Sequence, residues 1–268
     1  MPGTVHYETA ERIATITLDN PGALNAFDHA MCLELGRIWK DVEADPAIAC
    51  AIVTGAGEKA FCTGWDVSSL SREESEKLVP RDRWSAPYGH ITALQNRCWK
   101  PVITAVNGVC NGGGLHFIAD AELIVAAEHA TFLDTHVAVG MPSALEPAGL
   151  ARRIPLERVF RLALLGKHGR MTAQEALEIG LVGEIVPAAE LMRRARETAA
   201  VVAQYSPTAL ARSKRAIWES LDRGLNEGLD AAHKQVERHL GHPDPVEGSK
   251  AFLEKRPPKW APYRGTDS

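Results

Sequence analysis

The stretch Pro101-Val-Ile-Thr-Ala-Val-Asn-Gly-Val-Cys-Asn-Gly-Gly-Gly-Leu-His116 decides the reading of this chain. An apolar run of strand length meets a turn at Asn107-Gly108 and then three consecutive glycines. Bare glycine amides let a substrate oxygen approach the backbone closely, and a helix starting there would add its positive end. That is an oxyanion hole in outline. Downstream, Ala130-Thr-Phe-Leu-Asp-Thr-His136 supplies a second histidine. Imidazoles are well suited to moving protons near neutral pH, so His116 and His136 are candidates for proton transfer beside the hole.

Working outward, Ile13–Asp19 alternates like a strand and stops at Asn20-Pro-Gly22, ahead of a helical pattern with Met31, Leu35, Ile38, Trp39 and Val42 on one face. Apolar strands recur at Ala49–Thr54, Val102–Val106 and Glu122–Ala127. Near-continuous apolar strands of this kind belong to parallel sheets covered on both faces, so the expected class is α/β. The charged run Ser71-Arg-Glu-Glu-Ser-Glu-Lys77 reads either as a mobile helix or loop near the site or as a solvated connector. From Pro207 strand signals cease and residues 209–240 are mostly helical, with Ala216, Ile217, Leu221 and Leu225 as an apolar face seeking a partner. The division expected is a core of residues 1–205 carrying the site and a helical region of residues 206–268 serving oligomer packing.

The chain has 268 residues, 45% hydrophobic and 24% charged, enough for one large core. A net charge of −4 argues against nucleic acid or an anionic membrane as partner. Five scattered cysteines without a CxxC spacing suit reduced thiols rather than a disulfide or zinc framework. The start lacks a basic segment followed by an apolar core, and no apolar run is long enough to span a bilayer, so a cytoplasmic location is expected. The dinucleotide GxGxxG spacing fails, and GxxxxGK[ST], GxSxG and HExxH are absent, so no metal site is expected. His233, His239 and His242 read as solvated.

Several segments together resemble the crotonase (enoyl-CoA hydratase/isomerase) family. They are Asn20-Pro-x-x-Leu-Asn-Ala26, Glu58-Lys-Ala-Phe-Cys-Thr-Gly-Trp-Asp66, Lys100 to Gly108 followed by Gly112-Gly-Gly114, Ala173 to Val182, and Ala251-Phe-Leu-Glu-Lys-Arg256, in family order. The resemblance implies a spiral core of ββα turns with a C-terminal helical region, trimers or hexamers, and an acyl-CoA substrate. It implies no cofactor beyond the coenzyme A moiety of that substrate. It assigns Asn25, Ala26, Ala60, Cys62, Gly64, Asp66, Val67 and Phe252 to the coenzyme A site, and the amides of Trp65 and Gly113 to the thioester oxygen. Two such donors stabilise an enolate by about 3 to 4 kcal/mol each.

The chain departs from the family at its catalytic carboxylates. Hydratases of the family carry a glutamate two positions after the triple glycine and a second in a Phe-Gly-x-Pro-Glu segment; here His116 and His136 occupy those positions. Asp134 and Glu146 are nearby candidates, either of which could orient a ring. Histidine for glutamate also resembles, loosely, oxocamphor hydrolase, a relative that cleaves a carbon–carbon bond in a cyclic diketone. The expected function is therefore hydratase- or isomerase-like chemistry on an acyl-CoA by a histidine pair. The alternatives are hydrolytic carbon–carbon or ring cleavage of a β-keto acyl-CoA or cyclic diketone, and acyl-CoA binding without turnover.

Overall fold

The computed structural model describes residues 3–66 and 86–266; Val67 and the charged run 71–77 lie outside them. Every residue of the strand Val102–Val106 is buried, because it runs through the middle of a sheet. The strands are β1 (Thr4–Ala10), β2 (Ile13–Asp19), β3 (Cys50–Gly55), β4 (Ala60–Cys62), β5 (Val102–Val106), β6 (Val109–Asn111), β7 (Leu123–Ala127), β8 (Thr131–Leu133), β9 (Met171–Thr172) and β10 (Glu184–Val186). One sheet has the order β1-β2-β3-β5-β7-β10; the other is β4-β6-β8-β9. In the first, β1 and β2 form an antiparallel hairpin and every later neighbour is parallel. In the second, β4, β6 and β8 are parallel and β9 closes antiparallel.

Each central strand of the large sheet is followed by a short strand of the small one: β3 by β4, β5 by β6, β7 by β8. Three successive turns thus build a spiral, the ββα architecture. Buried amides hold the turns in register. Asn107 Nδ2 donates to the carbonyls of Gly55 (2.9 Å), Gly57 (2.7 Å) and Ala60 (3.1 Å), while its Oδ1 accepts from the Gly55 amide (3.1 Å).

The helices are α1 (His29–Ala44), α2 (His116–Ala119), α3 (Leu145–Leu150), α4 (Leu156–Leu165), α5 (Ala173–Glu178), α6 (Leu191–Val202), α7 (Pro207–Ser220), α8 (Leu225–Leu240) and α9 (Asp244–Leu253). Asp28 caps α1 by accepting from the Met31 amide, and the buried Met31, Leu35, Ile38, Trp39 and Val42 follow the expected stripe. On the opposite face of the large sheet, Leu191, Ala195 and Ala199 of α6 pack on Ile52, Ile103 and Val125. Both faces of the parallel strands are therefore covered.

The C-terminal region is helical from Pro207, with a break at residues 221–224 that splits the expected run into α7 and α8. Ser206 caps α7 by accepting from the Ala209 amide, and Pro207 opens it. Lys214 ties α7 to the core, donating to the Lys100 carbonyl (2.9 Å) and pairing with Glu122 (3.1 Å). The tail returns to α1, where the Tyr263 hydroxyl donates to Glu43 (2.5 Å). His239 and His242 differ from the solvated pair expected: their rings stack at 5.0 Å and both are half-buried, because Gly241 ends α8 and turns His242 back onto it. Among the described residues no helix is long and apolar enough to cross a membrane.

Candidate active site

The loop that follows β4 and the turn that follows β6 meet. Gly64 has φ +90°, and a Cβ there would lie 2.8 Å from the Gly113 nitrogen. A Cβ on Gly113 would lie 2.7 Å from Cζ of Phe27 and 3.3 Å from the Gly64 Cα. Only glycine at both places lets the two backbones come this close. Phe27 sets the register, its amide donating to the Gly64 carbonyl (2.8 Å) and its carbonyl accepting from the Asp66 amide (3.0 Å). This bridge uses the neighbours of Trp65, so the Trp65 amide is directed away from Phe27. The Trp65 ring packs edge-on against Phe27, with centroids 5.9 Å apart.

The triple glycine forms a 3-10 turn over Gly112–Leu115, and the α-helix after it has only four residues. The expected positive helix end is thus a minor contribution: so few aligned peptides sum to a small dipole. The Gly113 amide lies in the opening turn, where N–H groups have no partner within the helix.

Two histidine–carboxylate pairs flank this junction. The His136 ring lies over Gly112, its Cε1 3.4 Å from where a Cβ would stand. His136 Nδ1 is 2.7 Å from Asp134 Oδ1, which also accepts the His136 amide (3.0 Å), and Ser143 Oγ donates to Asp134 Oδ2 (2.5 Å). His116 Nε2 lies 3.3 Å from Glu146 Oε1, with both side chains buried. The hydrogen bond to Asp134 raises the His136 pKa, against burial. Burial pulls His116 down, but the bond and charge of Glu146 outweigh it and the net shift is upward. Burial alone would raise Asp134 and Glu146; the imidazole partners, with Ser143 at Asp134, hold both below the ordinary carboxylate range. The charge of His136 also pulls His116 down, the smallest of the influences on that ring. Ligand atoms of Asp134, His136 and Glu146 fall within 4.8 Å of one another, a spacing that could hold a metal ion, although ring and hydroxyl protons already occupy Asp134.

His116 forms part of the wall of a cavity of about 710 Å³ between α2, α3 and α7. Of the residues assigned to coenzyme A, Asn25 is fully committed inside the protein: Nδ2 donates to Ala56 and Ala60, and Oδ1 accepts from Asn20. Its side chain positions the loop. Ala26, Ala60 and Cys62 are buried around the same turn, where Ala60 contributes its carbonyl to Asn25 and burial pushes the Cys62 thiol up to about 12. Asp66 is half-buried, 3.4 Å from Asn20 Nδ2. Phe252 stands 83% exposed on α9 and is not among the residues lining the cavity. Sequence reasoning passed over Phe27 and Ser143. Phe27 directly follows the quoted Asn25-Ala26 motif, whereas nothing local marks Ser143.

The family model described as enoyl-CoA hydratase/isomerase matches residues 8–262. The chain is 34% identical to carnitinyl-CoA dehydratase of Proteus mirabilis over 265 residues, covering 97% of this chain and 99% of that protein. It is also 34% identical to (E)-benzylidenesuccinyl-CoA hydratase of Thauera aromatica over 262 residues, covering 96% and 98%. The crystal structure of an enoyl-CoA hydratase/isomerase from Mycobacterium paratuberculosis is similar with a TM-score of 0.89 and 38% identity, covering 96% of this chain and 98% of that one.

Proposed function

The chain belongs to the enoyl-CoA hydratase/isomerase (crotonase) family, and from that premise we propose that it adds water to, or removes it from, a carbon–carbon double bond conjugated to a coenzyme A thioester. The observation that carries the reading is the contact of Gly64 with Gly113 beside two histidine–carboxylate pairs. In this reading the thioester oxygen accepts hydrogen bonds from the Trp65 and Gly113 amides, which stabilise the enolate as it forms. His136 is the base: Asp134 holds Nδ1, so Nε2 of the neutral ring takes a proton from water while the oxygen adds to the β-carbon. His116, kept protonated beside Glu146, delivers a proton to the α-carbon. The two rings then re-exchange that proton, and the reverse sequence is dehydration. No cofactor is required beyond the coenzyme A moiety.

A carboxylate-oriented imidazole would equally aim water at a carbonyl, which favours carbon–carbon cleavage of a β-keto acyl-CoA as the second reading. Crotonyl-CoA and a cyclic β-keto acyl-CoA separate the two. Turnover of the first, lost in His116→Ala and His136→Ala, supports hydration; turnover of the second alone supports cleavage; tight binding with no turnover of either supports a non-catalytic binder.

The same reading includes a cytoplasmic homotrimer or hexamer. Leu225, Leu229 and Leu240 of α8, with Val246, Phe252 and Leu253 of α9, expose apolar surface suited to subunit packing. Sedimentation as a monomer at micromolar concentration would contradict this assembly.

A further inference from the structure

One carboxyl in the cavity beside His116 takes no part in the chemistry above. Asp120 lies one helical turn beyond His116, its amide donating to the His116 carbonyl (3.0 Å), and both residues line the cavity. Side chains four apart on a helix share a face, about 5 to 6 Å between their Cβ atoms. Other charged groups of this cavity are matched. Arg152 pairs with Asp222 (3.0 Å) and Arg215 with Glu219 (2.8 Å), and Glu43 accepts from the Tyr263 hydroxyl (2.5 Å) and the Trp99 amide (2.9 Å). Arg97 and Arg264 are exposed at the rim. Asp120 forms no ion pair among the described residues. Its one side-chain donor among those residues is Thr92 Oγ1, 2.6 Å from Oδ2.

Burial raises the Asp120 pKa, opposed by the Thr92 hydrogen bond and the charges of His116 and Lys214. A recessed carboxyl with one side-chain hydrogen bond and no ion-pair contact among the described residues is costly to maintain for packing alone. The neighbouring wall is small: Ala119 on α2, Ala148 and Gly149 on α3, which leaves room for a ligand group to reach the free side of the carboxyl.

We infer that Asp120 determines specificity in the acyl pocket: it accepts a hydrogen bond from a hydroxyl or ammonium group carried by the acyl chain beyond the carbons facing His116. The substrate is accordingly a polar-ended acyl thioester rather than a plain hydrocarbon one. This inference rests on the acyl-CoA reading of the site.

Isothermal titration of the intact protein tests it without turnover. The probes are saturated coenzyme A thioesters of increasing chain length, each with a methyl, hydroxyl or ammonium terminus. At the length that reaches Asp120, a donor-ended thioester binds about tenfold tighter than its methyl counterpart, the ratio expected for one buried hydrogen bond. Comparing hydroxyl with ammonium decides which donor is preferred. Asp120→Leu abolishes the advantage, and Asp120→Asn, which keeps an acceptor oxygen, retains it for the hydroxyl probe. Thermal melts verify that both variants fold. Equal affinities at every length, or an advantage that survives in Asp120→Leu, overturn the inference and leave the acyl-CoA reading intact. Failure of every thioester to bind overturns both.

Discussion

Replacing Gly64 with alanine separates what a glycine does for stability from what it does for chemistry. An alanine at φ +90° bears backbone strain of about 1 to 2 kcal/mol. Its Cβ would also stand 2.8 Å from the Gly113 nitrogen, a backbone atom that no side-chain rotation can move aside. The contact is relieved only by spreading the two loops, which takes one amide off the thioester oxygen. Loss of one such donor costs about 10²- to 10³-fold in kcat. Gly57 is the control: it too has a positive φ, +73°, but a Cβ there meets nothing within 4 Å. Both variants should melt earlier, by about 2 to 4 °C per kcal/mol of strain. Hydration of crotonyl-CoA, followed by loss of conjugated-thioester absorbance well below the melting temperatures, should collapse only in Gly64→Ala. Wild-type kcat in Gly64→Ala, or an equal loss in Gly57→Ala, would refute the reasoning.

Other outcomes follow from the same geometry. His116→Ala and His136→Ala should each lower kcat by about 10²- to 10⁴-fold while leaving the affinity for a saturated thioester within a few-fold, as read by kinetics and titration. Both histidine pKa values are raised in the folded protein, so the protonated rings persist to higher pH than a free imidazole and their pairing is lost as pH rises through those values; the depressed carboxylates lose it as pH falls through theirs. Glu146→Gln, which removes the upward influence on His116, should therefore move the alkaline limb of the kcat/KM profile toward acid. Asn107→Ala leaves three carbonyls without their shared donor and should lower urea-measured stability by about 2 to 4 kcal/mol.

The large sheet was legible because β3 and β5 are buried throughout and β7 everywhere but at Leu123, so all three read as apolar runs. The small sheet was not: β4, β6 and β8 have three residues each, too few for any periodicity, and only the ordered motifs implied a strand there. Close sequence spacing brought Asp134 to His136, since a side chain two residues back can reach its neighbour's ring. Pairing Glu146 with His116, thirty positions apart, depends on how α3 packs over α2, which no local pattern encodes. The same limit hides what the Asn25 side chain does, because a polar side chain suits a ligand as readily as the buried carbonyls of Ala56 and Ala60 that it holds. Phe252 is read from its motif alone, and on α9 it is exposed together with Val246 and Leu253, while Ala251 faces inward.

Polarisation of a bound carbonyl is the most direct test. Difference infrared spectroscopy of a saturated thioester carrying a carbon-13 label at its carbonyl reads that bond alone. A shift to lower frequency on binding, diminished in Gly64→Ala, is the predicted result, because two amides drawing on one oxygen weaken its double bond. A band unmoved from its position in water would contradict the account.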